Sequence, residues 1–104
     1  MAPTEVAMVS FVILGTFTEQ GIRNIKNMAA LRQAAEQWTA SQGGRVVANY
    51  TTLGQFDFVF IVELPSPEAV LEGTFLFGSQ GEVRTETLLA FPADQAETIA
   101  QRIP

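Results

Sequence analysis

The 104-residue chain contains no cysteine and no histidine. The first absence excludes disulfides, thiolate nucleophiles and cysteine metal sites. The second removes the commonest general base and the commonest metal ligand together. Only an all-oxygen site of the kind that suits Mg²⁺ or Ca²⁺ would remain, and the eleven acids show no ligand spacing. We therefore expect no metal and no cofactor. A phosphate-cradling loop is missing too: Gly43-Gly44 and Gly78-x-x-Gly81 lack the lysine and the strand–loop–helix setting such loops need, and read as helix stops. No long apolar run exists. The longest, Val6 to Leu14, is interrupted by Ser10 and falls well short of the roughly 20 residues a spanning helix requires. Its flank, Met1 to Glu5, carries an acid and no base, a poor secretion signal. These absences read as a soluble cytoplasmic protein.

Charge is scarce as well, at 16% of residues against roughly 25% in an average soluble domain. So little polar cover predicts that part of the surface is buried against another chain. Eleven acids against six bases leave a net charge of −5, which speaks against nucleic acid and anionic membrane as partners, since both need a basic footprint. The bases are dispersed as Arg23, Lys26, Arg32, Arg45, Arg84 and Arg102. Only the first three lie close in sequence, enough to seat one small anion such as a phosphate or a carboxylate.

What is present is a 47% hydrophobic chain with eight Phe, one Trp and one Tyr, sufficient for the core of a single domain over 1–104. Val6 to Leu14 is β-branched and aromatic and predicts a strand. Thr18 suits the N-cap of a short helical turn ending near Asn27. Met28 to Gln42 predicts an amphipathic helix with Leu31, Ala34, Ala35 and Trp38 on one stripe, Asn27 as its cap and Gly43-Gly44 as its stop. Strands follow over Arg45 to Leu53 and Phe56 to Leu64, joined across Gly54-Gln55. Ser66-Pro67-Glu68 opens a helix running to about Phe77, whose internal Gly73 implies tight packing. Glu82 to Phe91 predicts a fourth strand, and Pro92-Ala93-Asp94 starts a short C-terminal helix with Ala96, Ile99, Ala100 and Ile103 on one face.

The order β-α-β-β-α-β is that of the ferredoxin-like α+β fold: an antiparallel sheet of order 4-1-3-2 with both helices on one face, here with the extra C-terminal helix. Polarity agrees with it. The first strand is apolar on both faces, Met8, Val12 and Leu14 on one and Val9, Phe11 and Ile13 on the other. The third is nearly so, while the second and fourth carry Asn49, Thr51, Arg84 and Glu86. Strands with two apolar faces belong inside a sheet covered on both sides. Two helices cover one, so a second chain is expected on the other.

Few residues can carry chemistry. Asp57, expected inside the third strand among Phe56, Phe58 and Val59, is the best catalytic candidate as an acid or base. Its structural alternative is to cap turn amides or pair with Arg84. Arg84 and Glu86, two apart on a strand, share a face and could orient an anionic ligand, or form a cross-strand or intersubunit ion pair. Tyr50 is the only phenol and either donates a hydrogen bond in a cleft or packs. Tyr50, Asp57, Arg84 and Glu86 are thus the candidate ligand-binding set.

Three segments carry a resemblance. Thr18-Glu19-Gln20-Gly21-Ile22-Arg23-Asn24-Ile25-Lys26, Thr52-Leu53-Gly54-Gln55-Phe56-Asp57 and Val83-Arg84-Thr85-Glu86-Thr87-Leu88 with Ala90-Phe91 resemble, in order, three motifs of the GYD-domain family. Phe56 stands where that family usually has Tyr, so this chain offers no phenol there. The resemblance implies a small bacterial protein with a ferredoxin-like fold and supplies no activity. Two functions stay open. One is a homo-oligomeric binding or assembly module that holds a small ligand between subunits. The other is a cofactor-free enzyme of the dimeric α+β-barrel kind acting on a small apolar or aromatic substrate, with Asp57 as base and Arg84 or Tyr50 orienting. Pocket form separates them, since an enzyme needs a cavity of roughly 300 Å³ or more with converging polar groups.

Overall fold

The computed structural model describes residues 7–104; Val6, the expected start of the first strand, lies outside the described residues. The chain is an α+β structure whose strands, all antiparallel to their neighbours, form one open sheet. Strand β1 (Val9–Phe17) leads into α1 (Glu19–Arg23), a 3-10 turn (Ile25–Asn27) and α2 (Met28–Ser41). Strands β2 (Arg45–Thr51) and β3 (Phe58–Leu64) follow, then α3 (Pro67–Ser79), β4 (Val83–Ala90) and α4 (Ala93–Ala100). Across the sheet the order is β2-β3-β1-β4, or 4-1-3-2 counted from the β4 edge, with β1 and β3 inside.

Local chemistry explains the element ends. The Thr18 hydroxyl accepts the Gly21 N–H at 3.1 Å and so caps α1. At α3 the Ser66 hydroxyl accepts the Ala69 N–H at 3.2 Å, with Pro67 at the first helical position and Glu68 in the first turn. Gly43, at φ +79°, turns the chain out of α2. Asn27, expected to cap α2, makes no side-chain capping bond.

β2 ends at Thr51, two residues short of Leu53, and β4 runs Val83–Ala90, one residue short at each end; the larger differences are at β1 and β3. β1 begins at Val9 and runs on through Gly15, Thr16 and Phe17, because these pair with Thr85, Arg84 and Val83. β3 begins at Phe58, two residues late, so Asp57 is a turn residue and not a strand residue. Its N–H donates to the Gly15 carbonyl at 2.8 Å, and its carbonyl accepts from the Thr52 N–H at 2.8 Å. The fixed β-period explains why pairing decides such ends: residues join a strand when a partner ladder reaches them.

Successive strand residues alternate faces, and the register sorts the sheet into rungs. On the helix-covered face run Val46–Val62–Phe11–Leu89, Asn49–Phe60–Ile13–Thr87 and Thr51–Phe58–Gly15–Thr85. On the other face run Ala48–Ile61–Val12–Leu88 and Tyr50–Val59–Leu14–Glu86, with Arg45–Glu63–Ser10–Ala90 beyond them. The core sits between sheet and helices, where Phe11, Val62, Leu64, Ala69 and Val70 are buried together and Trp38 packs on them. Gly73 is buried in α3 because the Trp38 ring occupies the space a side chain would take, 2.7 Å from where its Cβ would lie. This is the tight packing that a glycine inside a helix implied.

Candidate functional site

The core residues Val62, Leu64 and Val70 also line a hollow between the sheet and the helices. Where β1 ends and β3 begins, a cavity of about 410 Å³ opens between α2, α3 and the sheet, inside the range usual for small-molecule sites. Its floor is the pair of rungs centred on Phe58 and Phe60. Gly15 makes that floor possible, because the Phe58 ring lies directly over it and a Cβ there would collide with the ring. Phe17 leans on Phe58 with ring centroids 5.5 Å apart. Trp38 of α2 and Phe77 of α3 meet edge-to-face at 6.3 Å and form the opposite wall, a geometry aromatic quadrupoles favour.

Polar groups stand at the margins of this apolar box. Asn49 and Thr51 line it on the β2 side, Thr85 on the β4 side and Thr74 on α3. Among the described residues lining it, Arg32 of α2 is the one charged side chain. A smaller hollow of about 260 Å³ adjoins it, sharing Thr74, Gly78, Val83 and Thr85 and adding Thr18, Gly81 and Arg84. Its one charged lining residue is again an arginine.

The residues expected to form a ligand site are not brought together within the chain. Tyr50 and Glu86 occupy opposite ends of a single rung on the uncovered face, three strand spacings or roughly 14 Å apart. Tyr50 is 63% exposed. Arg84 shares the β4 edge with Glu86, and neither has an ion-pair partner among the described residues. Asp57 lines neither cavity. Its Oδ2 accepts the Phe17 N–H at 2.8 Å. Of its two structural alternatives, the amide cap is the one seen, and no pair with Arg84 forms. Beyond the Gly15–Phe58 pair β3 no longer supplies a carbonyl, and the Asp57 side chain takes its place at the end of the ladder.

The ion pairs present lie elsewhere. Arg23 meets Glu19 at 3.1 Å along α1, both exposed. Arg45 meets Glu63 at 2.9 Å across β2 and β3, and the Glu63 carboxylate, by hydrogen bond and then by charge, raises the Arg45 pKa above its ordinary value. No group of three or more acids among the described residues is placed to hold a metal ion, and no helix among them is long and apolar enough to cross a membrane.

The order of the three sequence motifs is now matched by their places: the first is the capped α1 turn, the second the turn Asp57 closes, the third β4. The GYD-domain profile matches residues 11–100. The chain belongs to the GYD-domain family. A relative from Thermus thermophilus is 35% identical over 95 residues, covering 90% of this chain and 98% of its own. That protein is named the glutamine synthetase and cystathionine beta-lyase binding protein. No solved structure matches this GYD-domain chain. Sequence reasoning missed the cavity lining of Phe17, Trp38, Asn49, Thr51, Phe58 and Phe77 as a site. The signal available was Trp38 on the helix stripe together with polar Asn49 and Thr51 on the matching face of β2.

Proposed function

We propose that this GYD-domain protein is a cytoplasmic, homo-oligomeric binding module with a ferredoxin-like chain path, whose role is to engage another protein rather than to catalyse. The uncovered sheet face is the observation that carries this. Val12, Leu14, Val59, Ile61, Ala48 and Leu88 form an apolar centre two rungs deep, with Arg84 and Glu86 on one margin and the Arg45–Glu63 pair on another. An apolar centre inside a charged rim is the anatomy of a protein interface. A two-fold arrangement would bring the same patch of both copies together, offering Arg84 of one copy an acid such as Glu86 of the other. The relative's printed name supports a protein partner, and for this chain enzymes of nitrogen or sulfur amino-acid chemistry are the first to try.

The cavity is large enough for an enzyme's site, but the catalyst expected for that reading does not line it. A catalytic acid or base should line a cavity within reach of substrate, and Asp57 lines none and already holds the Phe17 amide.

Sedimentation velocity at micromolar concentration tests the proposal. The wild type should sediment well above its 11.3 kDa chain mass, and Ile61→Glu, which buries a charge in the centre of the face, should shift it toward that mass. A wild type that runs as a single species of chain mass would remove the basis for a homo-oligomer. Immobilised wild type should also retain purified glutamine synthetase or cystathionine beta-lyase from its own source; retention of neither would restrict the partner statement to the relative.

A further inference from the structure

The cavity lies on the helix-covered face of the sheet, away from the proposed oligomer face, and what it holds is a separate question. We infer that it is a binding site for a small apolar monocarboxylate, the hydrocarbon or aromatic body lodged among Phe58, Phe60, Trp38 and Phe77 and the carboxylate at the mouth beside Arg32, Asn49 and Thr51.

Size, shape and charge lead there. A volume of about 410 Å³ suits a ligand of one or two rings or a medium-length chain. The walls are aromatic, and such walls reward a flat or flexible apolar body. The chain carries a net charge of −5, yet the described residues put no acid in the lining of either hollow and one arginine in each. Arg23 of α1 is paired with Glu19, whereas Arg32 has no acid partner among the described residues. A guanidinium fork, with an amide and a hydroxyl from strand β2 in the same lining, matches a carboxylate's acceptor chemistry. A dianion or phosphate would find one cation and a wall of phenyl rings, so a monoanion with an apolar tail fits best.

Trp38, the single tryptophan, lines the cavity and reports its occupancy. Hydrocinnamate and octanoate titrated into the full chain should each change Trp38 fluorescence saturably. Their uncharged primary amides should bind roughly five- to tenfold more weakly, the worth of one charge-assisted contact at a solvated mouth. Arg32→Gln, an exposed substitution that spares the core, should abolish that preference for acid over amide and leave amide binding unchanged. Ala35→Leu, which adds three carbons to the cavity wall, should weaken binding of acid and amide alike. The inference is overturned if neither acid binds saturably at millimolar concentration, if acid and amide bind wild type equally, or if Ala35→Leu binds as wild type does. Loss of the acid preference in Arg84→Gln rather than in Arg32→Gln would overturn the placement of the carboxylate. None of these outcomes depends on the oligomeric state, which sedimentation of the same variants reads separately.

Discussion

Asp57 shows how one side chain can look catalytic in sequence and act as backbone in the fold. Its N–H donates to the Gly15 carbonyl and its Oδ2 accepts the Phe17 N–H, so it adds two bonds to the end of the β1–β3 ladder. Asp57→Ala leaves a part-buried strand N–H without its acceptor, which costs about 1–3 kcal/mol. Asp57→Asn keeps an oxygen in place and should lose about half of that, the share owed to charge. Thermal melts of the two variants check the order, and an Ala variant that melts at or above wild type would mean the bond adds nothing. The sequence pattern made both roles visible and could not choose, because the choice depends on where β3 begins. Trp38 and Gly73 were more legible: a helix-stripe aromatic and a costly helix glycine each imply close packing, and here they are each other's reason.

At the scale of elements, capping chemistry and period placed every helix and strand of the described chain to within a few residues. Thr18, Ser66 and Pro67 act as read, and strands with two apolar faces are the internal ones. The errors lie at strand ends, where Thr16 and Phe17 join β1 because β4 reaches them, and at the start of α2, where Asn27 makes no capping bond. The cavity was illegible for a related reason: its lining is drawn from β1, α2, β2, β3, α3 and β4, and a hollow left by six elements has no local signature. Element α4 poses the opposite problem. It forms with Ala96, Ile99 and Ala100 on one side, but it ends at Ala100, short of the expected Ile103, and none of its residues is buried. A helix of eight residues is marginal alone in water, so its order must come from something covering that side. If the proposed self-association supplies that cover, amide exchange over residues 93–100 should slow as protein concentration rises. Exchange that stays fast and independent of concentration would mean that α4 takes no part in such an assembly.

The whole molecule is a slab. Its extents are 51 × 38 × 19 Å and its radius of gyration is 15.6 Å, against about 13 Å for a compact chain of this length. Among the described residues the buried hydrophobics are Phe11, Val62, Leu64, Ala69, Val70 and Val83, a thin core for 104 residues. Burying one large aliphatic side chain is worth about 1.5–3 kcal/mol, and the uncovered face offers Val12, Leu14, Val59, Ile61 and Leu88 for that purpose. Two slabs joined there would give each sheet the second cover that its internal strands call for. Folding and association are then linked, since a partner that binds only the folded chain raises its apparent stability with concentration. The melting temperature should climb by several degrees between micromolar and hundred-micromolar protein, and Ile61→Glu should lower it and flatten its dependence on concentration. A wild-type melting temperature unchanged over that range would show that the slab stands alone, and the apolar face would then need a cover of another kind.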